Sequence, residues 1–200
     1  MKYRYITIER EYGSGAREIG HRLSEKTGIS CYGTEILAMA AGKMQMSESQ
    51  ARSLEEKSVG SLLYTIEMMA KVNNGAAEHA PDSVRLYSYE QQIIRNLAGC
   101  GPAIFIGRCA GNALRDYQGV LRVYVHADPQ VRLARIVDEY GIAPGNAESY
   151  MKQTDKRRAN FYFSNTGHKW TEFRQYNLVL DSSELGILNC VDLIESLMQK

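Results

Sequence analysis

The chain has 200 residues, of which 24 are Lys or Arg and 23 are Asp or Glu, so its formal net charge is +1. Hydrophobic residues make up 44% of the sequence, a share typical of globular domains that excludes disordered and collagen-like proteins. The balanced charge argues against a strongly basic nucleic-acid-binding domain, and no apolar run approaches the roughly 18 residues of a membrane span. We therefore expect one cytoplasmic domain over residues 1–200 that binds neither nucleic acid nor membrane.

The four cysteines are scattered along the chain and form no C-x-x-C pair. They are Cys31, Cys100, Cys109 and Cys190. This spacing argues against a zinc site and against a redox motif, so we expect buried, reduced thiols.

The first elements predicted along the chain are a strand, a glycine turn and a helix. Ile6 and Ile8 alternate with polar residues up to Gly13, which indicates a strand that enters a turn. After Gly15 the apolar residues recur at helical spacing, and Gly28 is typical of a helix C-terminus.

Further strands and helices alternate to the end of the chain. The pattern predicts strands at 29–32, 103–106, 120–126 and 178–180, and helices at 35–44, 51–72, 84–98, 131–140, 146–162 and 187–198, with a loop at 73–82. Such alternation predicts a parallel sheet covered by helices on both faces, with ligands at the carboxyl ends of its strands. Those ends fall at residues 9–17, 33–34, 107–109 and 181–183.

Residues 10–17, REYGSGAR, lie between the first strand and the first helix, where a phosphate-binding loop turns backbone N–H groups toward an anion. Against the pattern G-x-x-x-x-G-K-S/T, Gly15 matches the second glycine, but Arg10, Ala16 and Arg17 replace the first glycine, the lysine and the hydroxyl residue. Gly13 and Gly15 permit close backbone approach, and Arg10 and Arg17 offer guanidinium groups for an anion. The alternative is an ordinary glycine turn with two solvated arginines.

Two further basic features follow. Arg108 comes directly after the predicted strand 103–106, and residues 150–175 carry six Lys or Arg against two Asp or Glu. Asp155 and Arg158 are three residues apart, so on a helix they share a face. The alternative for Arg108 is an ordinary surface arginine, and the alternative for the basic segment is a solvated helix face.

Aromatic residues at 161–163 and Trp170 suggest either base stacking or a segment that packs its own aromatic side chains.

Several segments together resemble the cytidylate kinase-like family, a branch of the P-loop nucleoside monophosphate kinases. They are ITIEREYGSGAREIGHRLSEKTG, AIFIGRCAGNAL, VYVHADPQVRLARI, TDKRRANFYF and NLVLDSSELGI. The resemblance covers the chain except its variable helical block. It implies a five-stranded parallel sheet in a three-layer α/β/α fold, a helical monophosphate-binding insertion at about 35–98 and a basic lid at about 145–172.

The resemblance also implies roles for single residues. Gly13, Ser14 and Gly15 match the loop that holds the donor phosphates. Thr34 lies where these kinases contact the acceptor base, and Arg108 matches an arginine that holds the acceptor nucleotide. In the lid, Asp155 and Arg158 match an Asp-x-x-Arg pair that contacts sugar or phosphate.

The chain departs from the family pattern at five positions. Ala16 replaces the loop lysine, Gly33 and Cys109 replace aspartates, and Met39 and Met151 replace arginines. Without a carboxylate at 109, the acceptor for cytosine's exocyclic amine is missing. Without a hydroxyl after the lysine position, Mg²⁺ would be held mainly through nucleotide oxygens and water.

Three functions remain open at this point. The first is an ATP-dependent kinase that uses Mg²⁺ and phosphorylates CMP, dCMP or a related acceptor. In it Arg17 substitutes for the lysine, while Arg108 and Arg158 neutralise the transferring phosphoryl group. The second is a P-loop protein that binds nucleotide or phosphate without turnover. The third is a kinase of another small acceptor.

Overall fold

The computed structural model describes residues 1–58 and 80–199. Its strands form a five-stranded sheet in the order β2-β3-β1-β4-β5, and each pairing is parallel. The strands are β1 (Tyr5–Arg10), β2 (Ser30–Tyr32), β3 (Ala103–Ile106), β4 (Val120–His126) and β5 (Leu178–Asp181). The predicted parallel sheet is thus confirmed.

Helices lie between the strands and on both faces of the sheet. Numbered over the described residues, they are α1 (Ala16–Thr27), α2 (Thr34–Lys43), α3 (Glu48–Ser58), α4 (Asp82–Cys100), α5 (Ala110–Ala113), α6 (Pro129–Asp138), α7 (Pro144–Thr166), α8 (Ser182–Leu185) and α9 (Ile187–Gln199). A short 3₁₀ turn, Phe173–Gln175, precedes β5.

Alternation along β1 divides the core into two layers. Ile6 and Ile8 pack on one face with α1 and α9, whose buried residues include Ile19 and Ile194. Tyr5 points to the other face, where α2 and α4 supply the apolar side chains. Because successive side chains of a strand point to opposite faces, one sheet carries two helical layers in a P-loop-type three-layer α/β/α fold.

Helix boundaries differ from the predicted ones by a few residues at several places. The start signal Ser47-x-x-Gln50 forms a reciprocal cap, in which Ser47 N donates to Gln50 Oε1 (2.8 Å) and Gln50 N donates to Ser47 Oγ (3.2 Å). This cap begins α3 at Glu48 rather than at 51, and the predicted continuation to 72 extends beyond the described residues.

The predicted loop 73–82 ends too late, because Asp82 already belongs to α4; most of that loop lies outside the described residues. The helix predicted at 131–140 runs over Pro129–Asp138, because Asp128 caps it by accepting from Gln130 N (2.7 Å) and Pro129 fits its first turn. The helix predicted at 146–162 is longer and covers Pro144–Thr166.

The four cysteines are free thiols. Cys109 and Cys190 are buried as expected, but Cys31 is only half-buried and Cys100 is exposed at the end of α4, so the expectation of burial is wrong at these two positions. Within the described residues, 1–58 and 80–199, no helix is both long enough and apolar enough to cross a bilayer.

Candidate active site

The loop after β1 directs its carbonyl groups away from the open side of the sheet. Three successive carbonyls accept hydrogen bonds from neighbouring elements: Tyr12 O from Arg132 Nε (2.7 Å), Gly13 O from Arg135 Nη1 (2.6 Å) and Ser14 O from Ser182 Oγ (2.6 Å). The first N–H groups of α1 follow at once, and they have no intrahelical acceptor. The loop therefore offers the amides of Gly15 and of the first turn of α1 to an anion. Its carbonyls are already bonded, and so are the amides of Tyr12 and Ser14.

Both glycines of the loop are needed for its shape. Gly13 and Gly15 have φ of +80° and +75°, a region that side chains rarely adopt. A Cβ on Gly13 would lie 2.9 Å from the backbone oxygen of Arg132, and one on Gly15 would collide with Ile187 Cδ1. The sequence identified these glycines from their place in the chain, and the packing of α6 and α9 supplies the second reason for them.

A cavity of about 580 Å³ opens in front of this loop. Six arginines contribute to its wall: Arg10, Arg17, Arg52, Arg108, Arg157 and Arg158. Thr34 and the loop residues Gly13, Ser14, Gly15 and Ala16 line it as well. Every site residue predicted from the sequence lines this cavity except Asp155.

Arg10 lies against the turn that follows β3. Its guanidinium occupies the space that a side chain on Gly107 would need. Gly107, Arg108 and Cys109 all have positive φ, of 75°, 60° and 52°. Such a backbone is costly at the two non-glycine positions, and residues of this kind cluster at functional sites.

Two carboxylates hold the side chain of Arg108. Its Nη1 lies 2.8 Å from Glu90 Oε1 and also pairs with Glu55, which belongs to α3. Glu90 is fully buried, and burial raises its pKa to about 8. Burial likewise lowers the pKa of Arg108 to about 10, with further contributions from the nearby charges of Arg10 and Arg52. This arrangement could not be predicted from the sequence, because Glu55, Glu90 and Arg108 come from three separate parts of the chain.

Arg158 reaches the loop from α7. Its Nη1 donates to the backbone oxygen of Arg10 (3.1 Å), and its guanidinium lies 5.3 Å from the centre of the Tyr12 ring. Burial, followed by the charge of Arg10, lowers the pKa of Arg158 to about 9. A bound anion would relieve the repulsion among these guanidinium groups, so the cavity favours a ligand with several negative charges.

Arg17 and Thr34 meet at the mouth of the cavity. Arg17 is exposed on the first turn of α1, and its Nη2 lies 3.4 Å from Thr34 Oγ1 at the start of α2. Arg17 thus remains on the cavity side of the loop, next to the position of the missing lysine.

Asp155 is placed differently from the other predicted residues. Its Oδ1 accepts the N–H of Tyr12 (2.7 Å) and its Oδ2 pairs with Arg132. The carboxylate is therefore engaged by the loop and by α6, at the side of the cavity rather than in its wall.

Cys109 lies in a buried aromatic cluster with Tyr124, Tyr162 and Trp170. Glu9 lies beside it and accepts the indole N–H of Trp170 (3.3 Å). Burial raises the pKa of the Glu9 carboxyl against the opposing charge of Arg10. Tyr162 and Trp170 therefore pack against the protein itself, in agreement with that alternative, whereas Phe161 lines the cavity and Phe163 is exposed.

Sequence reasoning missed several residues of the site. They are Arg52, Glu55, Glu90, Arg132, Arg135 and Arg157. Two signals were available: the basic character of residues 150–175, which includes Arg157, and the spacing of Arg132 and Arg135, which places both on one face of α6 beside a glycine-rich loop.

The residues present do not form a protein-ligated metal site. Over the described ranges, no three His, Cys, Asp or Glu side chains are grouped to hold a metal ion. Arg17 stands where a hydroxyl ligand would be expected, and Arg132 engages the nearby Glu11 carboxylate at 3.1 Å.

Comparison with known proteins gives one family and several similar folds. The cytidylate kinase-like family matches residues 5–184. An uncharacterized protein from Eubacterium ventriosum has a similar structure, with a TM-score of 0.72 and 19% identity over 98% of each chain. Shikimate kinase from Bacteroides thetaiotaomicron has a TM-score of 0.53 and 12% identity over 98% of each chain.

A sugar kinase from Janibacter sp. has a TM-score of 0.52 and 12% identity over 98% of this chain and 95% of its own. At these identities the likeness concerns the fold alone. No curated protein matched the sequence.

Proposed function

Because this chain belongs to the cytidylate kinase-like family, we propose that it is a phosphotransferase that moves the γ-phosphoryl group of ATP to a small anionic acceptor. CMP and dCMP are the first acceptors to test. As part of this proposal we assign residues 1–200 to one domain, with residues 35–98 as the acceptor-binding insertion and residues 145–172 as the lid; residues 59–79 of the insertion lie outside the described residues.

One observation carries this proposal. Six arginine side chains and the amide-bearing loop converge on the same cavity. Phosphoryl transfer requires little covalent chemistry from a protein; it requires that two phosphate groups be aligned and their charge neutralised. Guanidinium groups and backbone amides are suited to this task.

The donor phosphates lie on the loop. The amides of Gly15 and of the first turn of α1 bind them, Arg10 flanks them, and Arg17 supplies the cation that Ala16 cannot. Mg²⁺, when bound with the nucleotide, would screen its phosphate charge through nucleotide oxygens and water, because Arg17 occupies the position of the usual hydroxyl ligand and the Ser14 hydroxyl already donates to Glu11 O at 2.8 Å.

The acceptor phosphate lies toward Arg108, with Thr34 on the neighbouring helix. One of its oxygens attacks the γ-phosphorus as the bond from that phosphorus to the β–γ bridging oxygen breaks, and ADP leaves with the bond's electrons. The attacking oxygen of a monophosphate is already ionised near neutral pH, so no side chain has to remove a proton. Arg158 neutralises charge on the transferring group.

The test is an assay of ADP release from ATP and MgCl₂ with a panel of ribo- and deoxyribonucleoside monophosphates. We expect turnover with at least one acceptor. In Arg158→Ala, kcat/KM should fall at least about a hundredfold, as for the loss of one group that stabilises a charged transition state. Lys152→Ala is the matched control, since Lys152 lies on the exposed side of α7 and pairs with Glu148 at 2.6 Å. Equal activity of both variants would contradict the role of Arg158.

A protein that binds nucleotide without turnover is the second candidate function. Two observations favour it: the loop has Ala16 in place of lysine, and the carboxyl groups of Glu55 and Glu90 already occupy the guanidinium of Arg108. Measurable binding of ATP by calorimetry, with no ADP release for any acceptor, would support this candidate over the kinase.

A kinase of a different acceptor is the third candidate. Cys109 provides no carboxylate for an exocyclic amine, and its side chain packs among aromatic residues. The acceptor panel should therefore also include shikimate and a sugar, because a shikimate kinase and a sugar kinase have a similar fold. Turnover with one of these and with no nucleotide would select this candidate.

A further inference from the structure

The phosphate loop is attached to α7 through Tyr12. The N–H of Tyr12 donates to Asp155 Oδ1 at 2.7 Å, and its carbonyl accepts from Arg132 Nε at 2.7 Å. Asp155 and Arg132 also pair with each other. Two charged side chains from two helices therefore hold both polar backbone groups of one loop residue.

The side chain of Tyr12 is held as well. Its ring meets those of Tyr140 and Tyr150 at centroid distances of 5.5 and 5.4 Å, and the Arg158 guanidinium lies 5.3 Å from its centre. Tyr150 and Arg158 both belong to α7. The helix thus contacts the loop through a carboxylate, a cation and an aromatic ring.

The pairing of Arg132 extends to the residue before Tyr12. Its Nη1 donates to Glu11 Oε2 at 3.1 Å, and its side chain is only 7% exposed. A partly buried network of this kind is fully bonded when α7 is in place, and removal of one member leaves a desolvated charge without its partner.

From these contacts we infer that Asp155 is a positioning residue that fixes the phosphate loop to α7 and so makes donor binding depend on the placement of that helix. This differs from a contact with the acceptor, which the resemblance implied for Asp155. Both carboxylate oxygens are already engaged, one by the loop amide and one by Arg132. The inference rests on the proposed function, because it assumes that the loop binds the donor phosphates.

The first test follows the Tyr12 amide and needs no ligand. Hydrogen–deuterium exchange of the segment 11–14 is compared between wild type and Asp155→Ala, which removes the acceptor of that N–H. We expect exchange at Tyr12 to accelerate at least about tenfold, since a hydrogen bond to a charged group is lost. Glu148→Gln is the matched control: it changes another α7 carboxylate, which is exposed and bonded to Lys152. Unchanged exchange in Asp155→Ala would overturn the inference.

The second test measures ATP binding by calorimetry in MgCl₂ without any acceptor. Asp155→Asn keeps an oxygen for the Tyr12 amide but removes the charge that holds Arg132, and we expect its Kd for ATP to rise about tenfold. The Kd of Glu148→Gln should equal that of wild type. If wild type itself binds no ATP, the proposed function fails, whereas ATP binding that is identical in wild type and Asp155→Asn defeats only the inference.

Arg132→Gln approaches the same contact from α6 and covers the case in which an Asp155 variant does not fold. It should weaken ATP binding to a similar degree. In the double variant with Asp155→Asn, the two losses should be clearly less than multiplicative, because both act through Tyr12. Fully multiplicative losses would show that the residues act separately and would contradict the inference.

A final readout separates positioning from acceptor contact. Once an acceptor is known, Asp155→Asn should raise the KM for ATP and leave the KM for the acceptor within about twofold of wild type. The reverse pattern, in which only the KM for the acceptor rises, would show that Asp155 contacts the acceptor and would overturn the inference.

Discussion

The guanidinium of Arg108 lies 2.8 Å from the fully buried carboxylate of Glu90. Glu55 pairs with the same guanidinium from α3. Two carboxylates therefore share one cation, and burial disfavours a second negative charge there. This relationship makes stability, as well as binding, sensitive to the proton on Glu90.

The pH dependence of stability should reveal that proton. Burial raises the pKa of Glu90 from its ordinary 4.5 to about 8, so the folded protein keeps a proton that the unfolded chain has released. Wild type should then lose stability as pH rises from about 4.5 to about 8. Relative to Glu90→Gln, its free energy of unfolding should fall by at least about 1 kcal/mol between pH 5 and pH 8.5.

Urea denaturation followed by the fluorescence of Trp170, the single tryptophan, measures this difference. Glu148→Gln provides the comparison, because Lys152 lowers the pKa of the exposed Glu148 and so moves its titration below the interval. Parallel pH curves for wild type and Glu90→Gln would show that Glu90 does not titrate in this range.

Gly107→Ala should impair anion binding through Arg10. The new Cβ would occupy the place of the Arg10 guanidinium, which is the end of a flexible side chain and can move away. Gly28→Ala is the control: it introduces a similar backbone strain, since φ is +72° at Gly28 and +75° at Gly107, but no atom lies within 4 Å of its added Cβ. Each variant should lose about 1–2 kcal/mol of stability.

Of the two, only Gly107→Ala should weaken ATP binding, by about tenfold in Kd. Thermal unfolding and calorimetry of both variants make the comparison. If ATP binds equally well to both proteins, Arg10 has no part in holding the donor.

Arg17→Ala should weaken donor binding, because Arg17 is the cation proposed to replace the missing lysine. We expect an increase of about tenfold in the Kd for ATP, the effect of one lost charge-assisted hydrogen bond. Arg22→Ala is the control on the same helix, since Arg22 is exposed and pairs with Glu18 at 2.6 Å. The increase should also shrink at high salt. No difference between the two variants would remove Arg17 from the donor site.

Arg52→Ala tests the residue that α3 adds to the cavity. Arg52 lies close enough to Arg108 to lower its pKa, so it shares the region proposed for the acceptor phosphate. We expect the KM of the acceptor to rise about tenfold with the KM for ATP unchanged. Arg85→Ala, at an exposed arginine of α4 that pairs with Asp82, should change neither value. A selective rise in the KM for ATP would instead place Arg52 at the donor phosphates.

Much of the fold could be predicted because its signals are local. Alternating apolar residues in β1, the Ser47–Gln50 cap and the Asp128–Pro129 helix start each act over a few residues, and each is present in the structure. Helix lengths were less accurate, as for α7, because the last turns of a helix depend on what they pack against. The strand near 103 followed from a continuous apolar run, and the strand near 120 from a largely apolar one.

The sequence by itself determined the parallel sheet, the glycine loop and the arginines that could meet at its edge, since strand alternation and turn chemistry are set by neighbours in the chain. Only the tertiary structure decided which charges oppose one another. It placed Glu90 and Glu55 on Arg108, and it joined Asp155 to Tyr12, 143 residues away. These pairings join residues far apart in sequence, and the burial that makes them strong exists only after the helices have packed on the sheet.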